Sequence, residues 1–426
     1  MKSPILFKIS AISAVFSLLL GACGASGSAS IAQSNLKRVT SPDAPPDQIK
    51  SLADNNNAFA FALYRSLRSQ NGNLIYSPYS ISLALAMAYA GARGETESQM
   101  MQTLHFLPQD QLHPAFNALD LQLAERGKGA SKDETPLQLN IANSVWAEQT
   151  YPFMQSFLDT IALNYGAGIR LVDFINQYEA SRNEINNWVS EQTQEKIKDL
   201  LPQGALSPDT RMTLVNAIYF KADWLSPFGA NSTQDAPFHL LDGSEVIVPM
   251  MHNDTVAPYA TGDGWQAIEL EYQGGTAAMD IIEPDEGRFD EVESSLDHQT
   301  VSAILGSLQP TSVSLALPKF KFEKAFGLAD QLKSLGMTDA FDPNNANFTG
   351  MSERRDLYIS SVIHKAFVAV DEKGTEAAAA TAVTFFATSA MVQNVSLTVD
   401  RPFIFVIRDI PTGQILFIGR VLNPVQ

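Results

Sequence analysis

An α+β domain is the fold class this sequence predicts, and three observations predict it. Residues 213–220 and 362–370 alternate as two-faced strands, while 54–67 and 77–91 carry apolar residues at helical spacing. The chain also closes on two apolar runs, 402–407 and 415–420, joined across Asp409, Pro411 and Gly413 as a terminal hairpin. With 426 residues, 45% hydrophobic and 18% charged, the chain can bury a large core. It shows no internal repeat and no second long Pro/Gly/Ser-rich gap, so a single domain is expected over residues 51–426.

The elements follow in chain order. Residues 1–22 place Lys2 and Lys8 around a short start, then an apolar stretch from 9 to 20, then small residues before Cys23. That is the layout of a bacterial export signal; the apolar stretch, broken by Ser10, Ser13 and Ser17, is too short for a membrane span of about 20 residues. Leu20-Gly21-Ala22-Cys23 resembles the lipobox of bacterial lipoproteins, in which the cysteine carries the lipid. The alternative is an ordinary signal peptide with a chance cysteine. Gly24 stands where an aspartate would signal inner-membrane retention, so the expected location is extracytoplasmic: lipid-anchored to the outer membrane or cell surface, or secreted. Residues 23–50, rich in Gly, Ser, Ala and Pro, read as a flexible lipid-anchored tether.

A helix over 54–67 follows, with Phe59, Ala62, Leu63 and Leu67 on one face and a run of Asn to cap it. Ser77-Pro78 pairs a capping residue with a proline suited to the first helical turn, and Ile81, Ala84, Leu85 and Ala88 continue the period until Gly91. In strand 213–220, Asn216 shares a face with Leu214, Ile218 and Phe220; in strand 362–370, His364 shares one with Val362, Ala366, Val368 and Val370. Both polar residues are expected to be buried and to satisfy each other, since an unpaired buried polar group costs about 1–3 kcal/mol. Residues 377–399 contain no charge at all, bracketed by Asp371, Glu372, Lys373 and Glu376 on one side and Asp400 on the other. Such a segment is a buried element or a strand able to slide between two others.

Composition excludes several chemistries. Lys plus Arg total 29 against 46 Asp plus Glu, a net charge of −17 that repels nucleic-acid phosphates. One cysteine allows no internal disulfide and no multi-cysteine metal site, and the six histidines contain no HExxH pair. No GxSxG elbow is present, and the one Ser-x-x-Lys match considered, Ser34 with Lys37, lies in the tether without the Lys-Thr-Gly or Ser-Asp-Asn triplets that accompany it in β-lactamases. An exported hydrolase is therefore disfavoured, no metal or other cofactor is expected, and the protein reads as a non-enzyme.

Four stretches together resemble the serpin family of serine protease inhibitors, in a bacterial lipoprotein form. They are Asn73-Leu74-Ile75-Tyr76-Ser77-Pro78-Tyr79-Ser80-Ile81 with Ala90-Gly91-Ala92-Arg93-Gly94-Glu95-Thr96; Leu214-Val215-Asn216-Ala217-Ile218-Tyr219-Phe220-Lys221 with Trp224 and Pro227-Phe228; residues 372–380; and Val399-Asp400-Arg401-Pro402-Phe403-Ile404-Phe405. The resemblance implies a fold of three β-sheets and eight or nine helices, with a reactive-centre loop over residues 372–401. It implies an irreversible suicide inhibitor: the target serine protease attacks the loop, an acyl bond forms, and loop insertion into the main sheet traps the covalent complex. The alternative within the family is a non-inhibitory binding or chaperone protein.

Carried over residue by residue, Ser77, Ser80, Asn216 and His364 match the family's shutter and Trp224 its breach, while Glu372, Gly374, Thr375, Ala377 and Ala379 match the hinge. Gly374 is expected to permit the rotation that starts insertion, and alternation points Thr375, Ala377, Ala379, Thr381 and Val383 inward, with no charge among them. That favours an inhibitor. The family spacing counted from Glu372 places the scissile bond at Thr388-Ser389; counting back from Pro402 gives about Met391 instead. Thr388 suits an elastase-like or subtilisin-like protease, and cleavage after Phe386 or Met391 would suit a chymotrypsin-like one. A trypsin-like target is disfavoured, because no Lys or Arg lies between Glu376 and Arg401. Residues 101–126 offer Arg126 against Asp110, Asp120 and Glu125, so no heparin-like activator is expected. The expected state is a monomer.

Overall fold

The computed structural model describes residues 29–126, 137–375 and 395–425. Nine α-helices lie among the described residues, with two hydrogen-bonded sheets of seven and nine strands. The seven-stranded sheet runs Ser30–Ala32, Ile169–Val172, Gln138–Glu148, Met212–Asp223, Gly374–Thr375, Ser361–Val370, Phe320–Gly327. Its centre is buried on both faces. Leu214, Ile218 and Phe220 of Met212–Asp223 enter the main core, while Val215 and Ala217 pack with Trp146, Ile185, Val189 and Ile197, which include residues of the helix Phe174–Gln192. The two-sided alternation read from residues 213–220 is this double burial.

The nine-stranded sheet holds the terminal hairpin, Phe403–Asp409 and Ile415–Val421, between Ala277–Pro284 and Leu74–Tyr76. The third, smaller sheet expected of the fold is continuous with it. Strand Glu245–Gly262 pairs in succession with Gln234–His239, with Gln309–Pro318 and with Trp265–Glu271, so one long strand belongs to both layers. Val395–Thr398 joins this end in parallel with Gln309–Pro318, which fixes where the uncharged segment returns to the body.

Two boundaries differ from those the sequence suggests. The helix expected to begin near Asp54 spans Pro46–Leu67, with Pro46 in its first turn and Ile49, Leu52 and Ala53 extending the buried face. The Asn run does not cap it: Asn56 and Asn57 are buried mid-helix, donating to Gln414 Oε1 and the Gly413 carbonyl at 3.0 and 2.8 Å. The flexible tether expected over 23–50 does not extend over its described part, which is docked and runs into the helix from Pro46. Ser30–Ala32 adds an antiparallel strand to Ile169–Val172, Val39 N–H donates to the Leu163 carbonyl, and Arg38 reaches Asn117 and Asp120, both at 2.7 Å. Low apolar content hid this because backbone pairing and one arginine hold the segment, and neither has a hydrophobic period.

Candidate functional site

The site lies along the seam between Met212–Asp223 and Ser361–Val370. These strands run parallel and pair directly from Thr213↔Ser361 to Tyr219↔Phe367. Above that, Gly374–Thr375 is wedged between them, antiparallel to both, with Thr375 opposite Ala222 and Val370. The seam is closed in its lower part and occupied at its top by the first two residues of the uncharged segment's approach.

Below the seam, the register sets His364 opposite Asn216, and the helix Pro78–Tyr89 points its first turn at them. Ser77 caps that helix, its hydroxyl accepting from Ser80 N–H at 3.2 Å, while Ser77 N–H donates to His364 Nε2 at 3.1 Å. Nε2 is therefore the unprotonated nitrogen, and Nδ1–H donates to Asn216 Oδ1. Asn216 Nδ2 donates to Ser80 Oγ and Asn143 Oδ1, Ser80 Oγ donates to Asn143 Oδ1 at 2.9 Å, and Asn143 Nδ2 donates to the Ser80 carbonyl at 2.9 Å. Complete burial pushes the His364 pKa down to about 3, so the imidazole stays neutral, as this tautomer requires. The structure brings together all four predicted shutter residues and adds Asn143, opposite Asn216 on Gln138–Glu148. Its signal was present: Asn143 interrupts the alternation of Leu139, Ile141 and Val145 as Asn216 interrupts its own strand.

At the top, Trp224 stacks on Tyr272 at 4.6 Å and 11° and donates through Nε1 to the Asp371 carbonyl at 3.0 Å. The hinge backbone docks on the same turn, with Trp224 N–H donating to the Lys373 carbonyl and Phe228 N–H to the Glu372 carbonyl at 2.6 and 2.8 Å. Thr375 is buried, its hydroxyl 2.7 Å from that of Tyr272. Glu372 is held by Lys319 Nζ at 2.8 Å and Thr233 Oγ1 at 2.7 Å. Burial works against its ionisation, but these two bonds outweigh it and keep the carboxyl below its usual range. Tyr272, Lys319 and Thr233 are distant in sequence and carried no local signal. Close packing also requires glycine at 374: a Cβ there would lie 2.1 Å from the Ala222 carbonyl oxygen.

Ala377, Ala379, Thr388, Ser389 and Cys23 lie outside the described residues. Among those described, no group of three or more His, Cys, Asp or Glu side chains is placed to hold a metal. The polar clusters at the seam contain no nucleophile paired with a base; their arrangement can hold a sheet closed and admit a strand.

The fold is thus that of an α+β protein whose seven-stranded main sheet is wedged at the top of one seam by Gly374–Thr375. The family model described as serpin, serine protease inhibitor, matches residues 54–424, and the chain belongs to the serpin family. An uncharacterized serpin-like protein of Thermococcus kodakarensis is 42% identical, covering 88% of this chain and 87% of its own. Leukocyte elastase inhibitor of Xenopus laevis is 39% identical over 86% of this chain and 97% of its own. Among solved structures, the thermophilic serpin tengpin in its native state aligns at 30% identity with a TM-score of 0.80, over 92% of this chain and 99% of its own. Family and relatives together support protease inhibition as the general activity.

Proposed function

We propose that this chain is an irreversible suicide inhibitor of serine proteases of elastase-like or subtilisin-like preference, anchored outside the cytoplasm through a lipid on Cys23. The observation that carries this reading is the hinge: Gly374–Thr375 already occupies the top of the seam in the register a full strand would continue. Extending that register one residue at a time sets Thr381 opposite both Asn216 and His364. Insertion would then break the Asn216–His364 bond and offer the Thr381 hydroxyl in its place. The parallel pairing of seven residues would give way to two antiparallel ladders. A net gain of about ten backbone hydrogen bonds, at about 0.5–1.5 kcal/mol each, is on the order of 10 kcal/mol. That is enough to drag an acylated protease and distort its active site before water releases it.

The test is incubation with pancreatic elastase, chymotrypsin, trypsin and subtilisin, followed by denaturing gels and mass spectrometry of the released carboxyl-terminal peptide. A covalent band that survives boiling is the expected result, with a peptide beginning at Ser389. A peptide beginning after Phe386 or Met391 would move the preference to chymotrypsin-like proteases. Cleavage with no covalent band and no rise in thermal stability would make the chain a non-inhibitory binding protein.

A further inference from the structure

From Cys23 to Pro42 the chain contains no Asp or Glu, although it holds 46 in all, and it carries Lys37 and Arg38. The carboxylates that bond to this stretch are engaged by it: Ala29 N–H donates to Glu184, Ser34 Oγ donates to Asp159 at 2.5 Å, and Arg38 pairs with Asp120 at 2.7 Å. Lys37 is exposed and meets no carboxylate among the described residues. On a molecule of net charge −17, this edge is the part best suited to approach an anionic surface.

The same edge is rich in exposed apolar groups. Nine large apolar side chains are exposed among the described residues, and four of them, Ile31, Leu36, Val39 and Ile175, belong to it. Ile31 lies in Ser30–Ala32, the outermost strand of the seven-stranded sheet, and residues 34–39 run on beside the helix Gln155–Tyr165, held by Ser34 on Asp159 and by Val39 N–H on the Leu163 carbonyl. Because Ser30–Ala32 is antiparallel to Ile169–Val172, its first residue sits at the end of that strand, beside the turn into Phe174–Gln192 that carries Ile175. Exposed apolar groups gathered around a cation mark a binding surface.

Chain length decides what covers it, given the lipid proposed for Cys23, on which this inference rests. Five residues separate Cys23 from Ala29, a span of at most about 20 Å. Residues 29–45 add nothing to that reach, because they are docked on the body. The bilayer that holds the lipid therefore stays within about 20 Å of Ala29, and contact between it and this edge is an intramolecular event at an effective concentration on the order of millimolar. We propose that this edge is a membrane-contact surface, with Ile31, Leu36, Val39 and Ile175 at the headgroup boundary and Lys37 on headgroup phosphates. Gly374–Thr375 lies four strand spacings, about 19 Å, in from that edge, so the hinge is presented close to the bilayer.

Hydroxyl-radical footprinting tests this on the chain from Cys23 onward, which includes every described residue. Its single cysteine is coupled to a maleimide-bearing dipalmitoyl phospholipid in vesicles of phosphatidylethanolamine and phosphatidylglycerol, and the reference is the same chain capped with N-ethylmaleimide and free of vesicles. Oxidation of Ile31, Leu36, Val39 and Ile175, taken relative to the exposed Leu241 and Ile247, is expected to fall at least about threefold on the vesicles. Leu36→Glu combined with Lys37→Glu, at exposed positions, should return Ile31 and Val39 to their free oxidation, while an unchanged melting midpoint shows that the variant folds. Equal oxidation on and off the vesicles overturns the proposal, as does protection that the double variant keeps. Protection that grows with protein density on the vesicle overturns it in favour of a second copy of the chain. The anchor is attached chemically, so a chain found without fatty acid on Cys23 in the cell refutes the lipid and not the surface, whereas a lipidated chain with even oxidation refutes the surface alone.

Discussion

His364→Ala should loosen the closed seam, and the structure sets the size of the effect. The imidazole accepts from Ser77 N–H and donates to Asn216 Oδ1, and all three residues are fully buried. Alanine leaves a buried donor and a buried acceptor unpaired, at about 1–3 kcal/mol each. It also leaves a ring-sized void beside Phe326, which lies parallel to the imidazole at 6.5 Å. The loss is therefore about 2–6 kcal/mol, and it falls on the closed sheet, because an inserted strand would bring the Thr381 hydroxyl to Asn216. If about 3 kcal/mol is lost before the seam opens, opening accelerates roughly a hundredfold. Timed warming below the melting midpoint, followed by size-exclusion chromatography and remelting of the monomer peak, reads this directly. The expected result is faster loss of active monomer to polymer or to a hyperstable inactive monomer. A melting midpoint and monomer half-life equal to wild type would refute the reasoning.

Four further outcomes are expected. Thr375→Glu buries a carboxylate beside Tyr272, at a cost of several kcal/mol, so the protease should cleave the variant with little or no covalent complex on denaturing gels. Removing residues up to Val39 strips Asn117 and Asp120 of Arg38 and exposes the Ile169–Val172 edge; chemical denaturation should show a loss of about 3–6 kcal/mol, whereas a free tether would cost nothing. His364 and His113, with pKa values near 3 and 4, stay neutral when folded but protonate near 6.5 when unfolded, so their contribution is full above pH 6.5 and is lost as pH falls toward 4. Each should cost about 2 kcal/mol at pH 5, and stability curves of His364→Gln should lack that share. Cys23→Ser should abolish incorporation of labelled fatty acid and release the protein from the membrane fraction, and an unchanged membrane fraction would refute lipid anchoring there.

What the sequence revealed divides by the range of the physics behind it. Alternation and helical spacing are local, so the terminal hairpin, the two seam strands and the Ser77-capped helix were legible, as was the mutual satisfaction of Asn216 and His364. Asn143 was legible in principle, because a polar residue on an apolar face needs a partner wherever its strand lands. Tyr272, Lys319 and Thr233 were not, since nothing near them in the chain says that they meet Thr375 and Glu372. Residues 30–39 were misjudged because backbone pairing and Arg38 fix them, whereas composition reports only what the hydrophobic effect can hold. At Gly374 the structure adds a requirement that no local pattern carries: steric exclusion by Ala222 depends on a neighbour 152 positions away.

On the proposed mechanism, the choice of seam follows from ladder strength. Met212–Asp223 pairs with Gln138–Glu148 through ten antiparallel residue pairs, and Ser361–Val370 with Phe320–Gly327 through eight. The ladder joining these two halves has seven pairs and is parallel, the less stable kind per residue. The other parallel ladder of this sheet, Gln138–Glu148 with Ile169–Val172, is shorter still, but Ile169–Val172 carries Ser30–Ala32 on its far side and Gly374–Thr375 does not reach it. The wedge at Gly374–Thr375 therefore marks the seam that the proposed insertion would use, and the antiparallel ladders on either side would keep each half intact. A strand entering there in the register of Gly374–Thr375 would be antiparallel to both neighbours, so one parallel ladder would be exchanged for two antiparallel ones. The polar contacts of His364, Asn216, Ser80 and Asn143 cluster at that seam, and on the proposed mechanism they would set the rate of the exchange without opposing its direction.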